Sequence, residues 1–460
     1  MKKKAHHRSN KKQKIDTQMP ILNPAAAGID IGHREIWCAV PADRCEQPVR
    51  AFGTFTQDLE DMARWLQECG MKTVAMESTG VYWIPAFQIL ERQGLEVRLV
   101  NARHVKNVSG RKTDIQDCQW LQRLHSFGLL NASFRPPDEI CILRTYLRYR
   151  EDLVGLRSMQ IQHMQKALQQ MNVQLHQVLS DVTGLSGTRM IEAILNGERD
   201  PETLAALADK RVRASKATIQ KALRGDYRPE HLFVLQTAYD LYKIYDRKIH
   251  LCDKQALAQM ARLPSRAQNP LPERKAGRKP IQDMVAGKDL RTELHRWAGA
   301  DLTAIEGIGV LTAETILGEI GTDMSRWPSE KYFTSWLGLC PDNRISGGKV
   351  LSSHTRQVVN PVSDALRRAA VTLQNSQTAL GAFYRRMRGR LGAASAITAT
   401  AHKLARLIYR LLKYGEHYVQ QGMEAYEKKY RERVLHNLKK TAASLGLELV
   451  QKQQLATGVS

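Results

Sequence analysis

The sequence contains no hydrophobic run long enough to span a bilayer, and no signal peptide follows its basic start. It also lacks any C-x-x-C pair among its seven scattered cysteines, which argues against a zinc ribbon and against a disulfide framework. Acidic residues are scarce, because 46 Asp and Glu stand against 69 Lys and Arg, for a formal net charge of +23. We therefore expect a cytoplasmic protein with reduced thiols and a polyanionic partner, for which nucleic acid is the leading candidate.

The chain of 460 residues is too long for one ordinary core. Its first 19 residues hold seven Lys or Arg and almost nothing that could pack, so we expect a disordered basic arm that contacts phosphates. Changes in pattern divide the chain into five predicted segments. These are the basic arm (1–24), an α/β domain (25–135), a helical region (136–289), a mainly helical second domain (290–415), and a basic helix with its tail (416–460).

The α/β domain alternates strand and helix signals. Three short strands, in IDI, EIWCAV and RAFGTFT, are joined by short turns and suit an antiparallel meander. After them come the helix DLEDMARWLQECG, the strand KTVAMEST, a helix interrupted early by Pro85, the strand EVRLVN and the helix DIQDCQWLQRLHSFGLL. This order of elements is typical of a ribonuclease H-like sheet.

The pattern changes after residue 139. Apolar residues recur between Ile140 and Val178 in steps of three, four and seven, and Arg150 and Arg157 fill the two gaps in this heptad repeat. We interpret the segment as one long helix of a coiled coil. Its partner is either another segment of the chain or another protomer.

The most informative acidic residue is Asp30, because it lies in an apolar strand where an unpaired carboxylate would be costly. In a ribonuclease H-like sheet the strand KTVAMEST lies beside this strand and brings Glu77 close, while Asp114 and Asp117 lie three apart on one helix face. Four converging carboxylates repel one another unless divalent cations neutralise them. Oxygen ligands suit Mg²⁺ or Mn²⁺, and two such ions can hold the attacking and leaving oxygens of a phosphodiester.

Basic and histidine side chains accompany these acids in the sequence. Arg111 and Lys112 directly precede the two helical aspartates, and we predict that they contact nucleic acid. His33, His104 and His125 also lie nearby in the sequence. We interpret them as surface or substrate-contacting residues.

Two further segments of the second domain suggest phosphate chemistry. IEGIGVLTAETILGEI resembles a helix-hairpin-helix, in which Gly307 and Gly309 would let backbone N–H groups approach a phosphate. An ordinary helix turn closed by these glycines is the alternative. In NRISGGKV, Ser346 precedes two glycines and lies between Arg344 and Lys349, so an exposed hydroxyl could act beside cations that steady a phosphate. A simple turn is the alternative here, and no His-based triad is evident.

Five segments of the chain together resemble the insertion sequence 110 family of DEDD transposases. They are GIDIG, AMESTGVYW, VNARHVKNVSGRKTDIQDCQWLQ, IEGIG and WLGLCPDNRISGGKVLSSHTR. The resemblance extends over residues 25–415. It implies a RuvC-like N-terminal domain with the acidic tetrad Asp30, Glu77, Asp114 and Asp117, a coiled-coil connection, and a C-terminal transposase domain.

The resemblance also implies a serine that attacks DNA, which maps onto Ser346. Ser352 and Ser353 remain rivals, because LSSHTRQVV departs from the Thr-Lys or Ser-Lys pair of many relatives. A recombinase of this family would work as a dimer or tetramer, would be guided by a structured RNA that its element encodes, and would associate with the nucleoid when active. The DNA sites that it joins stay open, as does the question whether acids and serine meet within one protomer or across two.

Two other functions remain open at this point. A structure-specific endonuclease of the Holliday-junction type would use the acids and water without a covalent step, so a phosphoserine adduct separates it from a transposase. A non-catalytic nucleic-acid-binding protein would carry the same acids for structural reasons. Metal-dependent cleavage that is lost on Asp30→Asn would exclude it.

Overall fold

The computed structural model describes residues 19–78, 80–101, 113–272 and 284–448. The chain divides into two compact units, Met1–Arg135 and Pro136–Ser460, and each is described by itself. Most of the predicted basic arm lies outside the described residues. The same holds for three other predicted positions, Arg111, Lys112 and His104, and for the end of the tail.

The first unit is built on a five-stranded sheet. Strands β1 (Ala26–Ile31), β2 (Ile36–Ala39) and β3 (Val49–Phe52) form an antiparallel meander, while β4 (Thr73–Glu77) and β5 (Glu96–Val100) continue the sheet in parallel with β1. The strand order is β3-β2-β1-β4-β5. All five strands overlap the predicted segments, although the strand predicted in RAFGTFT already ends at Phe52. The mixed α/β character of this unit is confirmed.

Three described helices cover this sheet: α1 (Thr56–Glu68), α2 (Trp83–Arg92) and α3 (Asp114–Ser126). The predicted interruption of α2 at Pro85 is wrong. Pro85 is the third residue of the helix, and the first-turn N–H groups have no partner within a helix, so its missing donor breaks no bond.

The sheet buries its two faces against different helices. Ile29 and Met76 belong to a core that also contains the buried faces of α1 and α2. Ala75, one position from Met76 and therefore on the opposite face, packs with Leu121 and Trp120 of α3. Side chains that alternate with Ile29 and Met76 therefore point to the α3 side of the sheet.

The second unit is mainly helical. Its described helices are α4 (Asp138–Gln170), α5 (Leu175–Val178), α6 (Leu185–Leu195), α7 (Pro201–Ala206), α8 (Lys216–Ala222), α9 (Pro229–Arg262), α10 (Leu290–Ala298), α11 (Val310–Ile320), α12 (Glu330–Trp336), α13 (Pro361–Thr372), α14 (Ala379–Leu391), α15 (Ala393–Tyr414) and α16 (Glu416–Ser444). Its described strands are β6 (Met284–Val285), β7 (Lys288–Asp289), β8 (Arg344–Ser346) and β9 (Lys349–Ser352), which form two hairpins. No described helix has the length and apolarity that crossing a membrane requires.

The two longest helices, α4 and α9, pack against each other in antiparallel directions. The two arginines that interrupt the heptad repeat face acids of α9, because Arg150 binds Asp253 and Arg157 binds Asp246. The predicted continuation of α4 to Val178 is wrong, since the helix stops at Gln170. The apolar spacing continues beyond Gln170 because Met171 and Val173 are buried in a core that they share with the short helices α5 to α8.

A buried acid lies beside this helix pair. Glu314 of α11 is 5% exposed, and its pKa is raised to about 7. Burial is the main cause, Asp253 acts in the same direction, and Arg150 opposes both. The unfolded chain would ionise this carboxyl near pH 4.5, so the folded state binds the proton more tightly. Its ionisation therefore costs stability, and the loss grows between pH 4.5 and about 7.

We expect Glu314→Gln to remove that loss. The variant should match the wild type near pH 4 and be more stable by about 1–3 kcal/mol at pH 8, measured as a shift in the urea midpoint. Glu319→Gln, on the same helix, is the matched control. Glu319 accepts two hydrogen bonds from Arg148, at 2.7 and 2.8 Å, so its loss should destabilise the protein at pH 8. A Glu314→Gln variant that is less stable than the wild type at pH 8 would contradict this account.

Candidate active site

Two carboxylates lie near the C-terminal ends of two neighbouring strands of the sheet. Strands β1 and β4 are parallel, with Ile29 opposite Met76, so Asp30 and Glu77 occupy the next positions on each strand. Both alternate with residues that face α1 and α2, which directs them to the side covered by α3. Asp30 is half-buried at the end of its strand.

The other two predicted acids lie at the start of α3. Thr113 is the N-cap residue and accepts a hydrogen bond from the backbone N–H of Gln116 at 3.3 Å. Asp114 and Asp117 then occupy the first turn, where the helix dipole favours negative charge. The cap therefore fixes where the helix begins and which residues occupy its positive end.

The electrostatics of Asp30 connect all four acids. The pKa of Asp30 is raised to about 6, mainly by burial and in addition by the negative charges of Asp114, Asp117 and Glu77. The N–H of Ile31 donates to the carboxylate and acts in the opposite direction. The four carboxylates thus share one electrostatic neighbourhood.

Electrostatic interaction among the four carboxylates does not by itself place their oxygen atoms close enough to coordinate one metal ion. Within the described ranges, no group of three or more His, Cys, Asp or Glu side chains is arranged to hold a metal ion. Coulomb interaction reaches farther than a metal–oxygen bond, so the two observations are compatible. The donor set itself fits Mg²⁺ or Mn²⁺, because it consists of oxygen ligands whose mutual repulsion a cation would relieve. Coordination would require side-chain rearrangement.

Gly28 sets how closely α3 approaches the sheet. A Cβ at this position would overlap with the backbone nitrogen of Gln122 and the backbone oxygen of Cys118, both in α3. A glycine inside a strand often marks such a close backbone approach, and this is the sequence signal by which Gly28 can be recognised. The contact holds the helix that carries Asp114 and Asp117 against the strand that carries Asp30.

We expect Gly28→Ala to push α3 away from β1. The overlap involves backbone atoms that cannot rotate away, so the variant should lose about 2–3 kcal/mol of stability in thermal or urea unfolding. Gly155→Ala is the matched control, because a Cβ there meets nothing within 4 Å in the middle of α4. That change should stabilise the helix by up to about 1 kcal/mol. Equal effects of the two substitutions would show that α3 does not depend on the close approach.

The loops that leave the two acid-bearing strands meet through an aromatic contact. The rings of His33, three residues after Asp30, and Tyr82, five residues after Glu77, have centroids 5.4 Å apart. Tyr82 is 50% exposed and was not singled out by sequence reasoning. His33 is exposed as expected.

The interpretation of His125 as a surface or substrate-contacting residue is wrong. It is buried, its ring nitrogen lies 2.9 Å from the hydroxyl oxygen of Thr73, and burial lowers its pKa to about 4. Its spacing from Cys118, Leu121 and Gln122 follows the buried face of α3, which was the available signal.

The candidate nucleophile lies in the hairpin of β8 and β9. Gly347 and Gly348 have φ values of 55° and 77°, the left-handed backbone that a two-residue hairpin turn requires. Ser346 is exposed directly before this turn and pairs with Lys349 across it. Of the rivals, Ser353 is exposed, while Ser352 is half-buried and accepts a hydrogen bond from the His354 N–H at 3.4 Å.

The segment around Gly307 and Gly309 was expected to lie between two helices, and only the second of them is present. A single 3₁₀ turn, Leu302–Ala304, precedes it instead of a full helix, and α11 follows it. Gly307 has φ 86°, and a Cβ there would lie 3.2 Å from the carbonyl oxygen of Ala369 and from the side chain of Leu373. The left-handed backbone and the close packing therefore both favour glycine without a phosphate contact. Gly309 is exposed at the N-cap of α11 with open space around it.

Two models of known protein families match separate parts of the chain. A family model for DEDD transposases of IS110 elements, described as transposase, matches residues 27–173. A second model, described as transposase of the IS116/IS110/IS902 family, matches residues 299–385. The two matches together cover about half of the chain. No curated protein matches it significantly. The chain therefore belongs to the IS110 family of transposases, which are DNA-processing enzymes.

Proposed function

We propose that this protein is an RNA-guided transposase that cleaves and rejoins DNA with two chemical groups, a metal-binding acidic tetrad and a nucleophilic serine. The tetrad consists of Asp30, Glu77, Asp114 and Asp117 in a RuvC-like, ribonuclease H-like domain. The observation that carries the proposal is the placement of Asp30 and Glu77 on neighbouring parallel strands, on the face covered by the helix whose first turn holds Asp114 and Asp117. The strand order, with a three-stranded meander extended by two parallel strands, supports the fold assignment.

The tetrad is the proposed site for Mg²⁺ or Mn²⁺. Bound there, divalent ions would stabilise the charge that develops on the attacking and leaving oxygens of a phosphodiester. The chain contributes the four oxygen donors, two from the edge of the sheet and two from a helix whose approach Gly28 permits. Neutralisation by the ions would also draw the proton from Asp30, since a nearby cation favours the ionised carboxylate.

Ser346 is the proposed nucleophile. Its hydroxyl oxygen would lose its proton and attack the phosphorus of a DNA strand, forming a phosphoserine ester while the bond to the leaving DNA oxygen breaks and that oxygen takes up a proton. Attack by a hydroxyl of another DNA strand would reverse these steps and release the serine. Arg344 and Lys349, exposed on the same hairpin, supply positive charge for the phosphate.

A structured RNA encoded by the element is the proposed guide, and DNA is the substrate. We further propose that the protein works as a dimer or tetramer through a coiled coil formed by α4, in the cytoplasm and on the nucleoid. The antiparallel pairing of α4 with α9 leaves apolar side chains of α4 exposed, including Ile142, Leu156 and Met159, on which a second protomer could pack.

The direct test begins with the full chain purified together with its nucleic acids. Sequencing the copurifying RNA and DNA should reveal one structured RNA with segments complementary to two DNA sites. Duplexes built from those sites should be cut with Mg²⁺ or Mn²⁺ and not with a chelator, and denaturing gels should show a covalent protein–DNA species. Cleavage without that species would favour a junction-type endonuclease, and absence of metal-dependent cleavage would favour a binding protein.

A further inference from the structure

The α14–α15 hairpin, residues 379–415, carries a strong excess of positive charge. These 37 residues contain no Asp or Glu and eight Lys or Arg. Four of the arginines, at 385, 386, 388 and 390, lie within six residues at the end of α14. All four are exposed. A basic surface concentrated at one place is the usual electrostatic footprint of a nucleic-acid contact.

The hairpin presents these arginines on a defined backbone. Helix α14 ends at Leu391, Gly392 makes the turn with φ 82°, and α15 begins at once with Ala393. Residues 388–395 are all exposed, so the tip extends away from the packed part of the hairpin. The base of the hairpin is anchored, because Tyr384 and Ala396 are buried and the ring of Tyr426 in α16 lies 3.5 Å from the ammonium of Lys403.

Two of the four arginines have structural contacts. Arg385 donates to the backbone carbonyls of Gln374 and Ser376, which fixes the start of the cluster. The guanidinium of Arg386 lies 5.6 Å from the ring centroid of Phe383, and the ammonium of Lys403 lies 4.6 Å from the same ring. Phe383 thus holds Arg386 in place by cation–π contact without neutralising it.

The guanidinium groups of Arg388 and Arg390 form no ion pair or hydrogen bond with the part of the chain that the structure describes. Several other arginines of this unit are matched with acids. Arg144 and Arg148 bind Glu319, Arg291 binds Asp301, and Arg406 and Arg410 bind Glu330. The tip therefore keeps its positive charge available to a ligand.

We propose that the tip of the α14–α15 hairpin, defined by Arg386, Arg388 and Arg390, binds the phosphate backbone of duplex DNA. Arginine forms bidentate contacts with phosphate, and these three side chains lie within about one helical turn. Residues 385–395 contain no aromatic side chain on which an unpaired base could stack, which favours a duplex over a single strand. DNA is the nucleic acid on which this family acts.

The test compares two triple variants of the full chain. Arg386→Gln, Arg388→Gln and Arg390→Gln together remove the cluster. Arg247→Gln, Lys248→Gln and Lys254→Gln together remove the same charge from exposed positions on α9. Binding of a 40-base-pair DNA of arbitrary sequence is measured by fluorescence anisotropy between about 50 and 200 mM salt, on protein freed of nucleic acid.

The cluster variant should bind this DNA at least about tenfold more weakly at 150 mM salt, and its slope of log K against log salt should fall by about 2–3, because each phosphate contact contributes about 0.9. The control variant should lose less than about threefold. Equal losses in both variants would overturn the proposal, since net charge alone would then account for binding. Loss of affinity for a structured RNA with DNA binding unchanged would also overturn it.

Folding of the cluster variant is checked by its melting temperature. If that variant does not fold, the single variants Arg388→Gln and Arg390→Gln serve, since neither side chain has a partner among the described residues. Each single variant should lower the slope of log K against log salt by about 0.9. The proposal would be contradicted if neither variant changed this slope. This surface is independent of the acidic tetrad and of Ser346, so its failure would leave the proposed chemistry standing.

Discussion

Asp30→Asn is expected to reduce metal-dependent DNA cleavage by about a thousandfold or more. The substitution preserves the shape of the side chain but removes the negative charge of the proposed metal ligand. The rate should be measured at saturating Mg²⁺ on DNA matched to the copurified guide. Glu35→Gln is the matched control, because Glu35 is exposed in the loop directly after β1 and should leave cleavage unchanged.

The same substitution should have the opposite effect on stability when no metal is present. The pKa of Asp30 rises from 3.8 in the unfolded reference to about 6 in the folded protein, so its ionisation costs stability across that interval. Solvent reduces the cost at this half-buried site, and Asp30→Asn should gain about 1 kcal/mol at pH 7 with a chelator present. A variant that loses both activity and stability would indicate a structural role for the carboxylate instead.

Ser346→Ala is expected to abolish the covalent protein–DNA species and strand joining together. Without the hydroxyl there is no atom to form the phosphoserine ester, and the hairpin turn itself depends on Gly347 and Gly348, so the fold should persist. Adducts should be quantified on denaturing gels with labelled DNA. Melting temperature should change little, because Ser346 is exposed.

Ser352→Ala and Ser353→Ala are the controls for this assignment. Both lie on or just after the second strand of the same hairpin, and both should retain adduct formation within about threefold. Adduct that persists in Ser346→Ala and disappears in either of the other two would transfer the nucleophile to that residue. Adduct that persists in all three would exclude a serine of this hairpin.

Local patterns were sufficient for the elements that carry the acids. The alternation of apolar residues through Ile29 and Met76 defines which side chains face α1 and α2, and period two then directs Asp30 and Glu77 to the other side. Likewise, the helix predicted in DIQDCQWLQRLHSFGLL begins at Asp114, as α3 does. These properties depend on neighbours in the sequence, so a single chain reveals them.

Long-range packing was not accessible in the same way. The apolar spacing of α4 continues smoothly beyond Gln170, although the chain turns there, because Met171 and Val173 are buried by the short helices of the same unit. The buried face of α3 includes His125, whose partner Thr73 is 52 residues away. Periodicity reports that a side chain is buried but not what buries it.

The charge of the second unit illustrates the same limit. An acid such as Glu330 has no basic neighbour at helical spacing within α12, and its partners Arg406 and Arg410 come from α15. From sequence alone, all basic residues contribute equally to the net charge of +23. Only the folded chain distinguishes arginines that are matched with acids from those at the hairpin tip, whose charge is left for a partner.

Divalent-metal binding by the full chain tests the central claim most directly. Isothermal titration with Mn²⁺ at pH 6, in two buffers of different ionisation enthalpy, reports both the affinity and the number of protons released. We expect the wild type to bind Mn²⁺ and release part of a proton from Asp30, and Asp30→Asn to bind far more weakly and release none. Equal Mn²⁺ affinity in the wild type and in Asp30→Asn would contradict the assignment of these four carboxylates as the metal centre.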